Sequence, residues 1–211
     1  MPARTARDHR PVQQVPIRQV RAVYTPETIT VYQAYPTAIA LAAAKAGRSV
    51  PPFKRDRMTW LKPSFLWMMF RSQWADPRSQ ERVLSVEMTR EGFEWALAHS
   101  CLAQYDHTFF PDREQWAATL SSSPVRVQWE HERSLELKSL PHRALQVGLG
   151  VEALDKYVQD WTVDITDVTH QARRMGELVR RGDEVRAEQM LPDERPYPLP
   201  APIAAALHIS T

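Results

Sequence analysis

The sequence predicts a single α+β domain with a mixed or antiparallel central sheet and helices packed on it. Three observations lead there. Strand-like and helix-like periods alternate along the chain, as in "ERVLSVEMT" (81–89) followed by "REGFEWALAHSCLAQ" (90–104). Several strand segments alternate polar with apolar residues, so one sheet face is not fully covered by helices. The helices are uneven in length, and no glycine-rich turn follows the first strand in a chain of 211 residues with only 6 glycines. The last point argues against a doubly wound dinucleotide fold.

Taken in order, residues 1–16 read as a flexible arm carrying Arg4, Arg7 and Arg10. "IRQVRAVY" (17–24) reads as a strand. In "TPETITVYQAYPTAIALAAAKAG" (25–47) Thr25 suits a helix cap, Pro26 and Glu27 its first turn, and Gly47 its stop, with a kink or split at Pro36. "RMTWL" (57–61) is a short strand, and Pro63 opens a helix through "PSFLWMMFRS" that is apolar nearly all round and therefore mostly core. In strand 81–89 Leu84, Val86 and Met88 share a face, and Thr89 caps the next helix, in which Cys101 reads as a buried helical thiol. "PVRVQWEHE" (124–132) and "HRALQVGLG" (142–150) are strands. A helix near 151–159 leads to "WTVDITDV", where Trp161, Val163 and Ile165 point one way. A charged helix covers roughly 169–189. The globular domain is expected over 17–190. The stretch 191–211 is a proline-rich tail that is expected to lie extended on the surface.

Composition narrows the function classes. The formal net charge of +2 is no nucleic-acid signature. A lone cysteine precludes an intrachain disulfide and a cysteine-rich metal site, and no histidine spacing announces a metal; none is expected. The N-terminus lacks the apolar stretch of a secretory signal, and no apolar run approaches the roughly 20 residues of a membrane span. A cytoplasmic protein is the expectation. Walker, G-x-S-x-G and dinucleotide fingerprints are absent. The segment "RMTWLKPSFLWMMFRSQW" (57–74) sets Arg57, Lys62 and Arg71 beside Trp60, Trp67 and Trp74. Such cation–aromatic pairing serves packing, or grips a nucleobase or nicotinamide with its phosphates.

The segments "IRQVRAVYTPETITVYQAYPTAIALAAA", "RMTWLKPSFLWMMFRSQWA", "QERVLSVEMTREGFEWAL", "VRVQWEHER" and "HRALQVGLGVEALDKYVQDWTVDITDVT" resemble, over about residues 17–170, a bacterial and fungal family catalogued as domain of unknown function 4291. More distantly the chain resembles the ADP-ribosyltransferases and related RNA phosphotransferases, which carry an arginine or histidine on an early strand and a Gln-x-Glu element on a later one. That likeness implies an ADP-ribosyltransferase-like fold with NAD as cofactor and nucleic acid or protein as acceptor. Arg21, Gln128 and Glu130 would be its catalytic candidates, and Arg18, Tyr24, Tyr32, Arg57, Trp60 and Lys62 its cofactor-binding ones. Gln128 and Glu130, two apart in a strand, face the same side. No "YRG"-type turn and no serine-threonine-serine element accompany them. Two classes stay open: an NAD-using transferase, which needs these groups to converge on one pocket, and a non-catalytic module that binds nucleic acid or protein through a Trp/Arg surface. The sequence leaves the oligomeric state undetermined.

Overall fold

The architecture follows from where β-branched and aromatic residues alternate, and it departs from the sequence expectation first at residues 25–36. The computed structural model describes residues 15–79 and 81–209; most of the expected N-terminal arm lies outside them. Residues 17–24 are only partly ladder-bonded, as strand β1 (Arg21–Ala22) with single bridges at Arg18 and Tyr24. Thr25 caps no helix. Its Oγ1 accepts from the backbone N–H of Thr28 at 2.9 Å and of Glu27 at 3.2 Å, which makes a tight turn. The chain then runs as strand β2 (Thr28–Pro36), and helix α1 (Thr37–Ala46) begins only after Pro36. Thr28, Ile29, Thr30, Val31, Tyr32 and Tyr35 favour a pleated surface over a helix, and that preference outweighs the cap-like spacing. Gly47 ends α1 in the left-handed conformation at φ 63°, as its position suggested.

Strand β3 (Thr59–Leu61), helix α2 (Phe65–Ser72) and strand β4 (Glu81–Thr89) follow the sequence expectation closely, and helix α3 (Arg90–Ala98) starts where expected but ends six residues before residue 104. Helix α3 stops at His99, whose ring stacks on Trp95 at 3.9 Å. Cys101 therefore sits buried in strand β5 (Ser100–Leu102), not in a helix as expected, because Cys101 and Leu102 bury themselves at the sheet edge. Helix α4 (Arg113–Ser122), capped by Asp112, has no buried residue and no periodicity that would announce it. Strands β6 (Val125–Arg133) and β7 (Ser139–Leu149), helix α5 (Val151–Lys156), a π-helical turn to Trp161, and strand β8 (Thr162–Asp167) come next. Val163 is exposed, against expectation: Glu87 pairs with Asp164 and Met88 with Thr162, so Val163 is the extra residue of a bulge. The charged helix divides into α6 (Thr169–Arg180) and α7 (Glu184–Glu188), broken at Gly182 with φ 75°. The proline-rich stretch is not simply extended. It contributes strand β9 (Arg195–Pro196), paired with β1, and helix α8 (Ala201–Ala206), which starts where Pro200 and Pro202 can be tolerated at a helix N-terminus.

The result is a split α+β fold. Antiparallel sheet β2–β4–β8 and mixed sheet β3–β7–β6–β5 enclose the main core, built from Ile29, Val31, Leu84, Val86, Val127, Val147, Leu149 and Tyr157. A second core lies where Tyr32 and Val83 meet Phe65, Met68 and Met69 of α2 and Met175 of α6. Among the described residues the backbones of the two sheets join at one bridge, Tyr32 N–H to Lys62 C=O at 2.8 Å and Lys62 N–H to Tyr32 C=O at 3.2 Å.

Gly92 marks how closely the layers approach. A Cβ there would stand 2.3 Å from Cγ of the Trp161 indole. Gly92→Ala is expected to lower stability by about 1–3 kcal/mol in urea unfolding, since overpacking against a rigid ring exceeds the roughly 1 kcal/mol that Ala gains over Gly inside a helix.

Candidate functional site

The principal hollow for the candidate residues, of about 680 Å³, opens where the two sheets part, and a larger one of about 920 Å³, beside Gly47 and Asp164, shares no lining residue with it. Its position is set by the sequence Leu61-Lys62-Pro63-Ser64. Pro63 keeps the helix from starting earlier, and Ser64 caps α2 by accepting from Trp67 N–H at 3.1 Å. Trp67 is thereby brought beneath Lys62, whose Nζ stands 5.4 Å from the indole centroid. Lys62 is 7% exposed, and no described residue accepts a hydrogen bond from its Nζ or forms an ion pair with it. Burial, and secondarily the nearby Arg71 charge, pushes its pKa down to about 8 against a partial opposing effect from Glu81.

The remaining walls come from both sheets. On the polar face of β6 and β7, Gln146 Nε2 donates to Gln128 Oε1 across the strand pair. Trp60 lies flat beside them because its partner across the ladder is Gly148, where a Cβ would meet Met58 Sδ at 2.8 Å and the indole at 3.0 Å. Arg57 and Arg71 stand exposed at the rim, with Arg71 3.8 Å from Glu81. The back wall is a buried polar chain. Tyr157 OH donates to Gln33 Oε1 at 2.8 Å. Gln33 Nε2 donates to Tyr35 OH at 2.9 Å, and the Tyr35 and Thr59 hydroxyls are 2.6 Å apart. Burial drives the Tyr35 phenol up to about 12, so it stays protonated as a donor.

A second hollow of about 280 Å³ adjoins the first, with Gln128 lining both. It holds Glu130, Trp129, Tyr105 and His107, together with Arg18, whose guanidinium is 3.3 Å from Asp106 and lies over the Phe109 ring. Two indole N–H groups buried beside these hollows, Trp67 Nε1 and Trp129 Nε1, find no acceptor among the described residues.

The structure thus gathers Arg57, Trp60, Lys62 and Gln128 in the first hollow and Arg18, Gln128 and Glu130 in the second. It does not bring Arg21, Tyr24 or Tyr32 to either. Arg18 and Arg21 are three apart in nearly extended chain, so they face opposite sides. Arg21 lines a third hollow of about 250 Å³, donating to the Gln19 side chain and the Glu194 carbonyl, each at 3.1 Å. Tyr24 lies between the Arg90 and Arg195 guanidinium groups, edge-on to Tyr197 at 5.2 Å. Tyr32 is buried edge-on to Phe65 at 5.3 Å, and burial pushes its phenol pKa upward.

Sequence reasoning missed Gln33, Tyr35 and Gln146. Reading 25–36 as a strand would have placed Gln33 and Tyr35 on one face. It also missed the carboxyl pair of the third hollow. Glu132 Oε1 accepts from Ser64 Oγ at 2.9 Å, and Glu194 Oε1 accepts from Phe65 N–H at 2.6 Å, so both sit on the start of α2. Burial raises the pKa of each, in Glu194 to about 8 with Glu132 adding to the rise. His142, in the same hollow, is shifted down by burial and by Arg21.

Among the described residues no three His, Cys, Asp or Glu side chains are grouped to hold a metal ion, and no helix is long and apolar enough to cross a membrane. No curated protein matches the chain. The family described as Domain of unknown function (DUF4291) matches residues 19–197, well over half the sequence and extending through strand β9 to Tyr197, and the chain belongs to that family.

Proposed function

We propose that this protein is a nucleotide-using transferase of the ADP-ribosyltransferase type, which binds NAD across the two joined hollows and passes ADP-ribose to nucleic acid or protein. The observation that carries the reading is the position of Gln128. It lines both a hollow rich in cations and indoles and the hollow that holds Glu130. Arg57, Lys62 and Arg71 supply charge for a pyrophosphate, and Trp60 and Trp67 supply ring faces and edges for a base or nicotinamide. A volume of about 680 Å³ is that of an ordinary small-molecule site. In this reading Glu130 stabilises the positive charge that develops on the ribose as nicotinamide leaves with the electrons of the glycosidic bond. Gln128 orients the sugar or the acceptor. Arg21, engaged in the third hollow, has no part in it.

Calorimetric titration with NAD tests this. Saturable binding is expected, weakened about tenfold or more by Arg71→Ala, since a charge-assisted hydrogen bond contributes roughly 1.5–3 kcal/mol, and similarly by Trp60→Ala, since stacking on an aromatic ring contributes roughly 1–3 kcal/mol. Glu130→Gln is expected to hold affinity within about twofold while slowing nicotinamide release about 100-fold or more, the scale of losing one transition-state stabiliser. Absence of saturable NAD binding, combined with salt-sensitive oligonucleotide binding that ignores Glu130, would replace the enzyme with a binding module.

A further inference from the structure

We propose that Lys62 is a carbonyl-reactive amine, and that the principal hollow captures a phosphorylated aldehyde, such as an open-chain sugar phosphate, as an imine on its Nζ. This does not rest on NAD binding. Three observations carry it. Lys62 is 93% withdrawn from solvent (7% exposed) yet lines the hollow. Its Nζ has no hydrogen-bond or ion-pair partner among the described residues and stands 5.4 Å from the Trp67 ring centroid. A structural lysine at such depth is ordinarily paired, because an unpaired buried ammonium is costly. The charged and titratable groups around it are Arg57, Arg71, Glu81 and Tyr35. The two guanidinium groups disfavour a second cation and suit a phosphate.

The chemistry is condensation without any redox partner. The Nζ lone pair adds to the aldehyde carbon, and a proton passes from nitrogen to the carbonyl oxygen. That oxygen then leaves as water while a C=N bond forms. The reaction needs the free amine. With a pKa of about 8, roughly a quarter of Lys62 is unprotonated at pH 7.5, against about a thousandth of an ordinary lysine. The Tyr35 hydroxyl and the Gln33 and Gln128 amides give polar groups along the walls for the sugar hydroxyls.

The probe is ribose 5-phosphate with cyanoborohydride, followed by peptide mapping of the intact protein. The expected result is a reduced adduct on Lys62 at least about tenfold above that on each of Lys45, Lys54, Lys138 and Lys156, forming faster at pH 8 than at pH 6. Unphosphorylated ribose should label Lys62 about tenfold more slowly, and Lys62→Arg should lose the adduct while retaining its circular dichroism spectrum. Label spread over the exposed lysines, or an unlabelled Lys62, would overturn the proposal on the wild-type protein alone. Equal labelling by ribose would overturn its phosphate selectivity. NAD titration of the same samples separates this outcome from that of the transferase reading.

Discussion

Glu194→Gln is expected to raise the urea midpoint at pH 9 and to flatten the fall in stability expected of the wild-type protein between pH 5 and 9. In the folded chain Glu194 keeps its proton up to about pH 8, against an ordinary value of 4.5. Between those values the folded state binds a proton that the unfolded state has released. Stability from this site is therefore fully present below about pH 4.5 and is lost as pH rises through 8, a change on the order of a few kcal/mol. The causes are burial and the neighbouring Glu132 carboxylate, partly offset by the Phe65 N–H and the Arg21 guanidinium. Arg133 and His142 complete the charged surroundings. A glutamine retains an oxygen for Phe65 N–H without carrying a charge. Urea denaturation at pH 5, 7 and 9 reads the effect, and parallel slopes in variant and wild type would show that the pair does not hold a proton.

Gln33→Leu is expected to destabilise the protein by about 2–4 kcal/mol, because one substitution strips several buried groups of their partners. The fully buried Tyr157 hydroxyl loses its acceptor, and Tyr35 OH and the Trp60 carbonyl each lose a donor. Adding Tyr157→Phe to Gln33→Leu should recover part of the loss, since removing both partners of a buried pair costs less than orphaning one. An additive double mutant would show that the hydroxyl finds another partner. The same chain of hydrogen bonds holds Tyr35 at the back of the principal hollow, so Gln33→Leu should also weaken any ligand bound there.

Much of this arrangement is legible in the sequence where local signals agree with one another. Leu84, Val86 and Met88 alternate within a segment that ends at a capping threonine, and both the strand and the helix after it form there. Ser64 and Pro63 likewise fix the start of α2. Legibility fails where a signal has two readings. Thr25-Pro26-Glu27 spells a helix start as readily as a turn, and only the sheet partner β4, reached through nine register pairs from Thr28 to Pro36, decides between them. The site is legible in part for the same reason. The cation–aromatic segment 57–74 and the Gln128-Trp129-Glu130 strand are local patterns, and both reach the joined hollows. By contrast Trp74, which matches that pattern equally well, is buried with its indole against Gly176. The Glu132–Glu194 pair has no local signal at all, because 61 intervening residues separate two carboxyls that meet only once strand β9 has docked.

That docking has a consequence for biosynthesis. Strand β1 takes its partner from Arg195 and Pro196, and Tyr197, edge-on to Phe93 at 5.5 Å, is buried in the main core. A nascent chain on the ribosome therefore holds strand β1 without its ladder partner until Arg195 and Pro196 have been made. The ladder of β1 therefore closes only after residues 195 and 196 are made, and a chain released before residue 197 would be one for chaperones and proteases to handle.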